Sequence, residues 1–134
     1  EIRLADYKGK RIVFVNVASE CGFTPQYSEL EKWYKENKEN VKIIGVPSNE
    51  YGKQEPGTNE EIADFCETNY GISFPIIEKT SVKGENKCEL YQWLTNSEKN
   101  GWNSKEPAWN FCKYLIDENG YLMGYYPSHV IPEV

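Results

Sequence analysis

The stretch RIVFVNVASECGFTPQY, residues 11–27, decides the fold. Residues 11–18 form a nearly continuous apolar run rich in Val and Ile, the pattern of a central strand buried on both faces. A helix opens at Thr24 and Pro25, with Pro25 at a favourable first position and Tyr27, Leu30 and Tyr34 along one face. Cys21 falls on the turn between them. A thiol there faces the positive end of a helix dipole and several unpaired backbone N–H groups, a setting that favours thiolate and builds a reactive cysteine. The residue three positions on is Thr24, so there is no CxxC dithiol and Cys21 must work alone or with a distant partner.

Outward from this unit, strands and helices alternate. The Lys/Glu-rich tail of the first helix, residues 31–40, reads as a solvated face, and VKIIGVP (41–47) as a second strand ended by Pro47. SNEYGKQEPG (48–57), with two glycines and a proline, is a loop. Thr58 and Glu61 make a capping box for a helix that puts Ile62, Phe65 and Cys66 on one face and ends near residues 69–71. Residues 72–77 read as a short strand and residues 85–95 as a third helix with Leu90, Trp93 and Leu94 inward. After a polar loop through Pro107, residues 109–117 read as a strand, Asn119-Gly120 as a two-residue hairpin turn, and residues 121–126 as the paired strand. This order describes one α/β domain, a thioredoxin-like three-layer α/β/α sandwich with a mixed central sheet. Such a sheet needs a covering helix after its last hairpin, and a bare apolar face is one that soluble monomers avoid. The natural protein is therefore expected to extend beyond both ends of these 134 residues.

Composition narrows the function. A formal charge of −6 argues against a nucleic-acid or anionic-membrane partner, and the two arginines, Arg3 and Arg11, do not make a phosphate clamp. No apolar run is long enough to insert stably in a membrane. Four cysteines at irregular spacing read as reactive or buried thiols in a reducing, cytoplasmic compartment rather than as a disulfide framework. With His129 the single histidine, and with no CxxC or HExxH pair, neither a metal nor another cofactor is expected.

Four stretches, NVASECGFTPQY (16–27), SNEYGKQEPG (48–57), FCETNYGISFPI (65–76) and PAWNFCKYLID (107–117), together resemble the glutathione peroxidase family, in its cysteine-containing, thioredoxin-using branch. The resemblance implies that Cys21 is the peroxidatic cysteine, with Gln54, Trp109 and Asn110 as its catalytic companions. These residue types suit the chemistry. The two side-chain amides and the indole N–H donate hydrogen bonds at any ordinary pH, and so can stabilise charge on sulfur and on the departing oxygen without a histidine. The resemblance further implies that Cys66 resolves the Cys21 sulfenic acid as a disulfide, which an external dithiol reduces. From its own sequence context alone, Cys66 reads first as a small apolar filler on an amphipathic helix. Cys88 and Cys112 read as buried or incidental thiols, and Glu50 as a solvated loop carboxylate. Ser48 stands where many relatives carry a cysteine, which leaves the resolving role to Cys66.

The resemblance implies a peroxidase acting on hydrogen peroxide and organic or lipid hydroperoxides. Tetrameric, glutathione-using members of that family insert a long loop before the Trp-Asn pair, so the resemblance, with only a short connection at residues 96–108 here, implies a monomer with an open site; the scarcity of arginine fits thioredoxin better than glutathione as reductant. Two alternatives share the residues: a peroxide sensor that passes oxidation to a partner protein, and a thiol–disulfide oxidoreductase of the same fold.

Overall fold

Strand β1 (Arg11–Val17) is buried along all but its first residue and is paired on both sides. A computed structural model describes Tyr7, residues 9–19, Cys21 and residues 24–37, 39–53 and 55–130. After β1 come α1 (Gln26–Asn37), β2 (Val41–Pro47), α2 (Asn59–Tyr70), α3 (Glu89–Leu94), α4 (Ser97–Asn100), β3 (Lys113–Ile116) and β4 (Leu122–Tyr126). The sheet order is β2-β1-β3-β4. β1 runs parallel to β2, from Arg11 opposite Val41 to Val17 opposite Pro47, and antiparallel to β3, which in turn pairs antiparallel with β4.

Alternation along the strands builds the layers. Val13, Val15 and Val17, with Ile43 and Leu115, pack against Tyr27 and Leu30 of α1 and Ile62 and Cys66 of α2. Ile12 and Phe14, with Ile44, Tyr114 and Ile116, pack against Tyr91 and Leu94 of α3. Each fully buried Val, Leu, Ile or Phe side chain contributes roughly 1.5–3 kcal/mol. The expected three-layer α/β/α sandwich with a mixed sheet is therefore the observed one.

The ends of α2 are set locally. Thr58 and Glu61 form the reciprocal capping box, and Gly71, left-handed at φ 58°, turns its N–H back to the carbonyls of Cys66 and Glu67.

Four expectations are corrected by tertiary structure. Residues 72–77 are not a strand: a single parallel bridge joins Ile76 to Gly45, through Gly45 N to Pro75 O (2.9 Å) and Ile77 N to Gly45 O (3.0 Å). Pro75 has no N–H to extend the ladder. The third helix is confined to Glu89–Leu94, and the loop after it contains the short α4. The strand expected from residue 109 begins at Lys113, because Phe111 takes a left-handed conformation (φ 66°) that breaks the extended run. The hairpin has a three-residue loop rather than a two-residue one. Asp117 N donates to Tyr121 O at 2.8 Å, and Gly120 alone takes positive φ (89°) between them.

Residues 31–40 are not wholly a solvated face either. Glu31 is buried, and its carboxylate accepts from Ser73 N (2.8 Å), Ser73 Oγ (2.5 Å) and Lys35 Nζ (3.5 Å). It fastens α1 to the chain that follows α2.

Candidate active site

Cys21 is 6% exposed on the turn after β1. Its N–H donates to Thr24 Oγ1 at 2.9 Å, the Thr24 hydroxyl donates to Ala18 O at 2.8 Å, and Thr24 N donates to Cys21 O at 3.0 Å. Thr24 occupies the position that a second cysteine would take in a dithiol, and it closes the turn instead. Tyr27 N to Thr24 O (3.0 Å) and Ser28 N to Pro25 O (3.1 Å) then lead into α1.

The loop of residues 48–57 is held to this turn through Glu55, which is 1% exposed and accepts from Ser19 N at 3.1 Å. Glu55 N donates to Asn49 Oδ1 (3.0 Å), and Lys79 Nζ donates to the carbonyls of Glu55 (3.2 Å) and Gly57 (2.6 Å). Gln54 lies outside the described residues. Glu50 is not a simply solvated carboxylate: it accepts from Ser48 Oγ, Ser81 Oγ, Val82 N and Lys83 N, and so ties this loop to residues 81–83.

Trp109 and Asn110 lie on the turn of residues 109–112, which is bound to β1 by Asn16. Asn16 Nδ2 donates to Trp109 O (3.0 Å), Cys112 N donates to Asn16 Oδ1 (3.1 Å), and Phe111 N donates to Asn16 O (2.5 Å). The half-buried Trp109 ring meets Tyr51 edge-on, with centroids 6.2 Å apart, and packs against both core clusters. Asn110 is fully buried, and its Nδ2 donates to Tyr51 O at 3.0 Å. Ser128 Oγ donates to the Asn110 carbonyl at 2.7 Å.

Cys66, on α2, belongs to the same buried cluster as Cys21, Tyr27 and Phe111, against which Trp109 packs. Burial pushes the Cys66 thiol up from its ordinary range, partly opposed by the Tyr27 hydroxyl beside it. The Tyr27 hydroxyl meets the thiol as a polar contact, short of hydrogen-bond geometry. Cys112 is buried with its sulfur 3.7 Å from both Ser128 Oγ and Tyr125 Oη, and Cys88 is half-buried at the start of α3. None of the four cysteines is in a disulfide.

Sequence reasoning missed Asn16, Glu55 and Lys113. Lys113 is fully buried on β3, with Nζ donating to Gln26 Oε1 (2.7 Å) and Ser128 O (2.8 Å). Burial lowers its ammonium to about 8. For Asn16 and Lys113 a signal was available, a polar residue inside an apolar strand run. A groove of about 870 Å³, lined among others by Phe14, Ile76, Cys88, Leu90 and Trp93, contains none of the candidate catalytic residues. Among the described residues, no group of three or more His, Cys, Asp or Glu side chains is placed to hold a metal ion.

An α/β/α sandwich with one thiol on the turn after its central strand, and a threonine where a dithiol would have its second sulfur, defines a thioredoxin-fold protein built around a single cysteine. The chain belongs to the glutathione peroxidase family, whose model, described as "Glutathione peroxidase", matches residues 1–95. It is 48% identical over 126 residues to the glutathione peroxidase-like peroxiredoxin HYR1 of Saccharomyces cerevisiae, covering 93% of this chain and 77% of that protein. Among solved structures, it is similar to the apo form of Trgpx, with a TM-score of 0.72 and 35% identity over 98% of this chain and 79% of that one. A thiol-disulfide isomerase from Corynebacterium glutamicum shares the fold alone, with a TM-score of 0.59 at 16% identity over 95% of this chain and 76% of that one.

Proposed function

We propose that this chain is a thiol peroxidase that reduces hydrogen peroxide and organic or lipid hydroperoxides. The Cys21 thiolate attacks the peroxide; an S–O bond forms, the O–O bond breaks, and water or an alcohol leaves with a proton. Trp109, Asn110 and Gln54 supply donors to the charge that develops on oxygen. Cys66 then attacks the sulfenic sulfur, water leaves, and a Cys21–Cys66 disulfide remains for an external dithiol to reduce.

The observation that carries this reading is the shared anchorage of thiol and donors. β1 leads directly into the Cys21 turn, and its Asn16 binds the turn that bears Trp109 and Asn110. Family membership and the peroxiredoxin name of the yeast relative point the same way. The thiol–disulfide oxidoreductase reading loses support from Thr24, whose hydroxyl is committed to closing the turn.

Thioredoxin is the reductant we propose, acting on a monomer. Two arginines in the whole chain are poor provision for the carboxylates of glutathione, and a protein dithiol suits an open site. Four cysteines outside any disulfide suit a reducing, cytoplasmic compartment. Among the described residues, no helix is long and apolar enough to cross a membrane. Peroxide-dependent NADPH oxidation should be faster when the protein is coupled to thioredoxin and thioredoxin reductase than to glutathione and glutathione reductase, and should vanish in Cys21→Ser. Faster turnover with glutathione would overturn the choice of reductant; peroxide turnover by Cys21→Ser would overturn the peroxidase.

A further inference from the structure

We propose that Asn16 is a positioning residue for peroxide reduction, acting through the turn of residues 109–112; the inference rests on the peroxidase reading above. Asn16 is fully buried in a strand whose other residues beyond Arg11 are apolar. A buried amide is unfavourable there unless both its donor and its acceptor are used. Both are used, and on one target. Nδ2 donates to Trp109 O and Oδ1 accepts from Cys112 N, so the amide brackets Trp109, Asn110 and Phe111 from the two ends of the turn.

The main chain of Asn16 reinforces this clamp, accepting from Phe111 N and donating to Cys112 O (3.4 Å). Within the bracket Phe111 holds a left-handed conformation (φ 66°), which a bulky aromatic residue keeps only where its surroundings impose it. That conformation decides where the neighbouring side chains go. It sets Asn110 with its amide on Tyr51 O and Trp109 with its ring on Tyr51. A side chain at position 16 must therefore offer a donor to a carbonyl and an acceptor to an N–H at fixed spacing. Asp supplies only the acceptor, and Leu, of similar shape, supplies neither.

The test compares two reactions of the Cys21 thiol in Asn16→Asp and Asn16→Leu, each followed by mass spectrometry of the Cys21 peptide. Oxidation by hydrogen peroxide depends on donors to the departing oxygen; alkylation by iodoacetamide has no departing oxygen. We expect peroxide oxidation to slow by at least about tenfold and alkylation, which feels the donors only through the charge on sulfur, to slow by much less. Adding Asn16→Asp to Asn110→Ala should slow oxidation by much less than it does alone, since both changes remove the same arrangement. Equal losses in the two reactions, or an unchanged peroxide rate in a folded variant, would overturn the proposal. Failure of both variants to fold would also overturn it, because Asn16 would then serve the fold rather than the turn. A wild-type Cys21 that meets peroxide no faster than a free thiol would bring down the peroxidase reading itself. Fast wild-type oxidation with unaffected variants would remove only the role of Asn16.

Discussion

The side-chain amide of Asn110 donates to the backbone carbonyl of Tyr51 at 3.0 Å, joining two stretches that lie 59 residues apart. One stretch carries Trp109 and the other leads towards Gln54, so this hydrogen bond connects two of the three regions that supply the candidate site. It also fixes the orientation of the Asn110 amide, whose NH2 group carries a second proton besides the one given to Tyr51.

Replacing Asn110 therefore tests the site directly. Asn110→Ala is expected to slow single-turnover oxidation of Cys21 by peroxide by about a hundredfold, the usual loss when a transition-state donor is removed. Asn110→Asp should be at least as damaging despite its nearly identical shape, because a carboxylate cannot donate and would face the Tyr51 carbonyl with a negative charge. An Asp variant that reacts at the wild-type rate would show that Asn110 is not a donor.

Cys66 is buried within α2, and burial holds its thiol above the ordinary range. A raised value means that the folded protein keeps this proton to a higher pH than the unfolded chain does. In Cys21→Ser, alkylation of Cys66 should accordingly begin at a higher pH in the native protein than in urea. If Cys66 resolves the sulfenic acid, α2 must open around it in each turnover. Amide exchange over residues 58–69 is then expected to be faster in the oxidised, disulfide-bonded protein than in the reduced one. Equal protection would reject opening of the helix.

How much of this was legible from sequence depends on how local each determinant is. The capping box of α2 needs only Thr58 and Glu61, and the central position of β1 needs only its apolar run; both were read correctly. The Cys21 turn was legible for the same reason. The turn at residues 109–112 was not, since an apolar-aromatic stretch reads as strand until Asn16, distant in sequence, captures its backbone. Glu31 looked like one more solvated carboxylate because its partner, Ser73, is 42 residues away. Cys66 was ambiguous from its helix alone, and its burial beside Tyr27 fits a core position as readily as a resolving one.

The Glu31 arrangement yields a prediction about stability. Its carboxylate takes two hydrogen bonds from Ser73 and is itself only 5% exposed, so Glu31→Ala removes two charge-assisted hydrogen bonds in a part-buried setting. Urea denaturation should register a loss of about 1–3 kcal/mol. Lys35→Ala, which removes only the exposed partner of the same carboxylate, should cost no more than about 0.5 kcal/mol. Similar losses for the two variants would mean that the ion pair, and not the Ser73 contacts, matters.

Lys113 gives the chain a distinctive alkaline response. Its ammonium sits at about 8 in the folded protein, against roughly 10.4 for an unhindered lysine. Between those values the unfolded chain binds more protons than the folded one, so this group makes stability rise with pH from about 8 to 10.4; below about 8 the full cost of burying the charge is felt. Tyr27, Tyr91 and Cys66, all shifted upward by burial, act in the opposite sense at alkaline pH, so the raw stability curve mixes both effects. The difference between wild type and Lys113→Met isolates the lysine. Across that window, the stability of the wild type relative to the variant should rise by on the order of 3 kcal/mol, as followed by urea denaturation at several pH values. A difference that stays flat would show that hydrogen bonds to Gln26 and Ser128 hold the ammonium charged throughout.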